Sequence, residues 1–195
     1  MAAQMLSGKG FKSVYNVSGG IKAWEAQVAM GPQDLGLHLF SESHSPEDIL
    51  KVAYSLEDGL RDFYLSMSDK TENDRVRDLF VKLAKIEVQH QASIVQAYQE
   101  LGNEGVSQEE FSVMVTQKAM EGGLSTEEYL NLFNPDLESQ IDVISLAMSI
   151  EAQALDLYQR VGADLSSEAS LAIIGKIADE EKQHLASLGR LMDGM

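Results

Sequence analysis

The sequence predicts an all-α protein, a four-helix bundle with one long crossover, preceded by a short α/β fragment. Three observations carry this reading. From Ser45 almost to the end, apolar residues recur at steps of three and four, the spacing of helices that bury one face. The first and third long helical segments are followed by short turns, and the second by a long connection, which is the pattern of a bundle with a single crossover. A set of charged and aromatic residues in the first helix pair returns 94 positions later in the second, so one helical hairpin is present twice.

The elements follow in order. Residues 1–31 include Gly8, Gly10, Gly19 and Gly20, the β-rich run Ser13-Val-Tyr-Asn-Val17 and the single tryptophan, Trp24. They read as short helix, turn, strand, Gly-Gly turn and short helix. Residues 32–44 form an unpatterned linker, and the bundle occupies 45–195. Ser45-Pro46-Glu47-Asp48 is a helix start, with an N-cap, proline at the first helical position and acids in the first turn. That helix runs to about Asp69. The second runs from about Glu72 to Leu101, where Gly102 stops it. Ser107-Gln-Glu-Glu110 is a capping box opening a short helix that ends near Gly122-Gly123. Ser125-Thr-Glu-Glu128 opens another short piece. Asn134-Pro135 opens the third long helix, which ends at Gly162. Ser166-Ser167 opens the fourth, which reaches about Met192.

Composition excludes several kinds of chemistry. The chain of 195 residues has no cysteine, which removes disulfides, thiolate metal sites, iron–sulfur clusters and a cysteine nucleophile. The net charge is −16, which argues against nucleic acid and anionic membrane surfaces and suits hard cations. The charge is uneven: residues 1–31 carry a net +2, from Lys9, Lys12 and Lys22 against Glu25, leaving −18 on the rest. No apolar run is long enough to span a bilayer. The opening residues lack the apolar stretch of a secretory leader, so a cytoplasmic location is expected.

The apolar stripes contain charges where the core should be. The first helix reads Leu50, Ala53, Glu57, Leu60, Tyr64, Met67, and the second carries Glu87 and His90 between Leu83 and Ile94. The third places Glu151 between Met148 and Leu155, with Leu137, Ile141 and Ile144 earlier on the same stripe and Tyr158 after it. The fourth places Glu181 and His184 between Ile177 and Leu188. A buried, unpaired carboxylate costs several kcal/mol or takes up a proton. Two divalent cations would compensate four of them. One such Glu or His is ordinary in a core; the repeated set is not. Glu57 to Tyr64 and Glu151 to Tyr158 both span seven positions, and Glu87 to His90 and Glu181 to His184 both span three. A three-residue step places both ligands on one helix face, within reach of one ion. Four carboxylates and two imidazoles are a hard O/N set that suits Fe, Mn or Zn. Tyr64 and Tyr158 fit either core packing or hydrogen bonding to the ligands. Glu180 lies beside His184 but off the stripe, facing solvent or standing behind the ligands. Asp179, Lys182, Glu127 and Glu128 read as solvated, and His38 and His44 as exposed.

Residues 45–194 resemble the rubrerythrin-like members of the ferritin-like di-iron carboxylate superfamily. The resemblance rests on Glu57-x6-Tyr64, Glu87-Val-Gln-His90, Glu151-x6-Tyr158 and Glu181-Lys-Gln-His184, in family order. It implies two Fe ions, for which Zn or Mn can substitute. Glu87 and Glu181 would bridge or chelate the metals, His90 and His184 would each ligate one, and Glu57 and Glu151 would complete the site. It also implies that Tyr64 and Tyr158 hydrogen-bond ligand carboxylates from across the bundle. The implied activity is that of a non-haem di-iron oxidoreductase reducing peroxide or O₂ with iron electrons. An iron-binding or ferroxidase-type protein and a structural helical module are the alternatives. Two departures stand out. Typical relatives carry a cysteine-rich rubredoxin domain, so here a separate rubredoxin-type donor is expected. They also carry a second carboxylate one turn after the third-helix Glu, where this chain has Ala154. Bundles of this kind commonly dimerise, so a homodimer is expected.

The first thirty residues resemble the last third of a rhodanese domain, through Ala2-Ala-Gln-Met-Leu6, Gly10-Phe11, Val14-Tyr-Asn-Val17 and Gly19-Gly-Ile-Lys-Ala-Trp24. In that family the catalytic cysteine loop precedes the Ala-Ala helix. No sulfurtransferase activity is therefore expected here, and the chain reads as a truncated or remnant fusion of the two families.

Overall fold

The computed structural model describes residues 36–40, 45–115 and 126–194. Residues 1–31, expected to be a rhodanese fragment, lie outside them, as do most of the linker, His44 and the Gly122-Gly123 stop expected for the short crossover helix. The described residues form helices joined by turns, with no strand among them, as expected for the bundle. A 3₁₀ turn at Leu37–Phe40 is followed by α1 (Pro46–Ser68), α2 (Asp74–Glu100), α3 (Gln108–Met114), α4 (Thr126–Phe133), α5 (Gln140–Asp164) and α6 (Glu168–Asp193).

The helix starts follow the capping chemistry of the sequence. Ser45 Oγ accepts the Asp48 amide at 3.1 Å, ahead of Pro46. Ser107 and Glu110 form a reciprocal capping box at the start of α3. Ser139 and Ser167 cap α5 and α6. Gly102, at φ +97°, takes the left-handed conformation that ends α2 and that a side chain would disfavour.

α1 packs along α2 and α5 along α6, forming the two hairpins; α1 meets α6 and α2 meets α5 across the middle. The core has two apolar halves. One gathers Ile49, Leu56, Ile94, Tyr98, Leu157 and Ile174, and the other Leu60, Tyr64, Met67, Phe80, Ile144 and Ile150. Along α1, α2 and α5 the change from one half to the other falls at Glu57, at Glu87 and at Glu151. A polar layer therefore crosses the bundle at mid-height. Among the described residues no helix is long and apolar enough to cross a membrane.

The third long helix does not begin at Asn134-Pro135. It begins at Gln140, after the Ser139 cap, and the intervening residues perform another task. The Glu138 carboxylate accepts the Glu72 and Asn73 amides at 3.0 and 2.8 Å, and Asn73 Nδ2 donates to the Glu138 carbonyl at 3.0 Å. The start of α2 thus gains acceptors for amides that have none within the helix. Asn134 turns the chain at φ +41°, and α2 itself starts at Asp74, not Glu72. With the later start, Leu137 packs from a turn, and Ile141, expected on the buried stripe, is exposed in the first turn of α5.

The linker residues that are described join the core. Phe40 is buried, and its ring meets Tyr158 edge-on at 6.1 Å. His38 is exposed, as expected.

Candidate metal centre

Each hairpin builds one cluster at mid-height. In the first, Glu57 from α1 meets Glu87 and His90 from α2; in the second, Glu151 from α5 meets Glu181 and His184 from α6. Within each cluster one donor atom from every residue lies within 4.8 Å of the others. All six residues singled out by spacing are brought together. The local cause is the three-residue step on α2 and α6, which stacks Glu and His one above the other on the inner face.

The two clusters mirror each other atom for atom. His90 Nδ1 stands 3.3 Å from Glu57 Oε2 and 2.6 Å from Glu87 Oε2. His184 Nδ1 stands 3.4 Å from Glu151 Oε2 and 3.2 Å from Glu181 Oε2. The two imidazoles stack face to face with centroids 3.5 Å apart, which joins the clusters into one centre.

The four carboxylates are between 1% and 3% exposed. Such burial disfavours charge unless partners compensate it. The ion pairs of Glu57, Glu87 and Glu151 among the described residues are with the two histidines. Burial, with the charges of Glu57 and Glu151 and a hydrogen bond with Glu57, pushes the Glu87 carboxyl well above the ordinary carboxylate range. Burial also pulls on Glu151, but hydrogen bonds with His184 and Glu181 and the charges of His184 and His90 outweigh it, and its carboxyl is held low. Burial lowers His90, and contact with Glu57 plus the charges of Glu57, Glu151 and Glu180 more than reverses this, so its imidazole is held above its ordinary value. With no metal, the centre therefore manages its charge with protons. Two divalent cations would balance four carboxylates without them, and four carboxylate and two imidazole donors suit hard or borderline metals.

Tyr64 and Tyr158 are fully buried, one in each half of the core. Tyr64 packs near Phe63 and Phe80, and Tyr158 near Phe40. Asp179 and Lys182 pair with each other on the exposed face at 2.8 Å, and Glu127 and Glu128 are exposed.

Spacing does not reveal two features. One is a polar network behind the first cluster: Gln91, fully buried, donates to Asp58 at 3.0 Å and accepts from Arg61 at 3.3 Å and from Gln108 at 3.4 Å. Asp58 and Gln91 fall off the apolar stripe, next in sequence to Glu57 and His90, and that adjacency is the one signal that could have marked them. The other is a cavity of about 360 Å³ between α2 and α6, whose wall includes Glu87, His90, Glu151, His184 and Glu180. It connects the centre to the surface.

Four helices around a buried, doubled Glu–Glu–His centre define a ferritin-like di-metal carboxylate protein. The Rubrerythrin family model matches residues 48–192. The chain therefore belongs to the rubrerythrin family, as the four motifs suggest. No curated protein and no solved structure matches it significantly.

Proposed function

We propose that this protein is a non-haem di-iron oxidoreductase that reduces peroxide or O₂ with electrons from a separate, rubredoxin-type donor. The observation that carries the reading is the doubled Glu–Glu–His cluster, of which Glu87, His90, Glu151 and His184 line a cavity large enough for a small oxidant. Glu57, Glu87, His90, Glu151, Glu181 and His184 would hold the two ions. When bound, an iron pair supplies two electrons, which with two protons convert peroxide to two waters.

The remaining work belongs to the protein. His90 and His184 offer Nδ1 to the centre while their neighbouring carboxylates fix the ring planes. Leu83, Ile86, Leu188 and Leu191 line the cavity beside the donors, limiting water around the reacting oxygen atoms. Tyr64 and Tyr158 would hydrogen-bond ligand carboxylates from the two core halves, and Zn or Mn would occupy the same donors without the iron chemistry. The working unit is a homodimer in the cytoplasm.

Metal analysis of protein purified without added metal comes first; about two iron atoms per chain are expected from a two-metal site. Anaerobic ferrous loading followed by peroxide should then oxidise about two irons per chain. Folded, loaded protein that shows no stimulated oxidation defeats the enzyme reading. A second reading, iron handling without turnover, is favoured by Ala154, a fully buried alanine where typical relatives offer a further carboxylate. Sustained peroxide consumption coupled to an added donor separates the two.

A further inference from the structure

The cavity between α2 and α6 grades from rim to floor. Lys82, Gln89, Gln183 and Ser187 are exposed at its rim, and Glu87 and Glu151 are buried at its floor. Between them, on α6, stands Glu180, half-buried. It is the one carboxylate on the wall that does not belong to either cluster. It is close enough for its charge to act on His90 and on Glu57, across the bundle. One turn back, the charge of Lys176 also acts on Glu180, while the Lys176 ammonium itself lies toward Glu100, with Nζ 4.0 Å from its Oε2.

Glu180 also breaks the internal repeat. Its counterpart 94 positions earlier is Ile86, on the same cavity wall. Lys82 and Gln89 on α2 have the counterparts Lys176 and Gln183 on α6, whereas the exposed Lys85 and Val88 are replaced by Asp179 and Lys182; of the cavity-lining positions near the ligands, this one exchanges an apolar side chain for a carboxylate. Below, Glu87 Oε2 is fully buried with no aligned hydrogen bond; its neighbour His90 Nδ1 stands 2.6 Å away. The cavity thus runs from an exposed rim, past one added carboxylate, to the buried Glu87 and Glu151.

We propose that Glu180 is the uptake carboxylate of this centre, the residue that captures a divalent cation at the cavity and passes it to the two clusters. This rests on the metal-centre reading above. A hydrated cation must lose water before it can occupy a buried site, and a half-buried carboxylate replaces part of that shell midway. The field of a carboxylate in a low-dielectric cleft also raises the local cation concentration. Because Glu180 is outside both clusters, it governs how fast the centre fills and not how much it holds.

The test is the kinetics of Co²⁺ uptake by chelator-treated full-length protein, followed by visible absorbance, with stoichiometry measured at the end point. Wild type is expected to bind about two Co²⁺ per chain, as a two-metal site does. Glu180→Gln is expected to reach the same end point about ten-fold more slowly, the lower end of the range for charge focusing in a cleft. Glu180→Asp should recover much of the rate. Glu180→Ile, which reproduces the first-hairpin residue, should be as slow as Glu180→Gln and gives a second neutral variant should one fold poorly. Unchanged uptake in the folded neutral variants overturns the proposal and leaves the metal centre standing. A reduced end point overturns it too, by making Glu180 a resident ligand. Wild type that takes up no Co²⁺ instead defeats the metal-centre reading itself.

Discussion

Glu87→Gln should stabilise the metal-free protein and weaken its response to metal. Glu87 is 1% exposed, and its carboxyl is raised well above its ordinary value of 4.5 by burial and by Glu57 and Glu151. Between 4.5 and the raised value the folded state holds a proton that the unfolded chain has lost. Unfolding in that window releases the proton, so stability falls as pH rises. Each pH unit in that window costs the metal-free wild type about 1.4 kcal/mol. At roughly 2–4 °C per kcal/mol for a chain of this size, the slope is about 3–6 °C of melting temperature per pH unit. His90, held above its ordinary 6.5, adds a loss of the same sign at higher pH. The amide of Glu87→Gln keeps the shape of the carboxyl and cannot ionise. The variant should therefore lose most of this slope and melt higher than wild type near neutral pH. Metal should reverse the order. A ligand at a hundred times its Kd stabilises wild type by about 2.7 kcal/mol, and the variant should gain much less. The assay is thermal unfolding by circular dichroism from pH 5 to 8, with chelator and with Zn²⁺. If the metal-free variant melts lower than wild type at every pH, Glu87 is a satisfied structural carboxylate and the reasoning fails.

Pairing Glu87→Ala with His90→Ala should lower bound metal, measured by elemental analysis, because the first cluster loses two of its three donors. Ser45→Ala removes the N-cap of α1 and should cost about 1 kcal/mol, a fall of roughly 2–4 °C in melting temperature with metal stoichiometry unchanged. Phe40→Ala empties a buried ring site against Tyr158 and should cost about 3–5 kcal/mol, which denaturant titration would read; a neutral result would show that the linker turn is not part of the core. Glu138, whose carboxyl is held low by the Glu72 amide and then by Thr71 and Asn73, should stabilise the start of α2 at neutral pH and lose that effect as pH falls through its lowered value. The acid limb of the unfolding curve in Glu138→Ala should be correspondingly flatter.

The centre is legible in the sequence because helical periodicity converts spacing directly into direction. Glu87 and His90 share a face whatever packs against them, and the repeat at 94 positions supplies a second, independent copy of the same statement. Tertiary choices lack such a local code. Asn134-Pro135 is a sound local helix opening, yet α5 starts later because the exposed amides of α2 recruit Glu138 from 65 positions away. Phe40 sits in a stretch without periodicity, so nothing nearby signals that it reaches Tyr158. Tyr64 and Tyr158 follow a related rule: a fully buried tyrosine at helical spacing serves packing and hydrogen bonding equally well, so spacing alone marks the position and not the role.

The repeat also shows where the two halves of the centre differ. The donors are duplicated, but their backing is not. Behind the first cluster stand Asp58, Arg61 and Gln91, joined by hydrogen bonds and an ion pair, with Arg61 Nη1 2.7 Å from Asp58. Their counterparts behind the second are Ala152, Leu155 and Leu185. A polar network restrains Gln91, and through the backbone its neighbour His90, by direction as well as by contact; an apolar setting restrains by contact alone. The network extends through Gln108 to α3 in the crossover. On the second side the α6 wall instead carries Glu180, where α2 has Ile86. One hairpin sets a polar network beside its cluster and the other sets an extra carboxylate on the cavity wall, so ions placed in the two halves would meet equal donors in unequal surroundings.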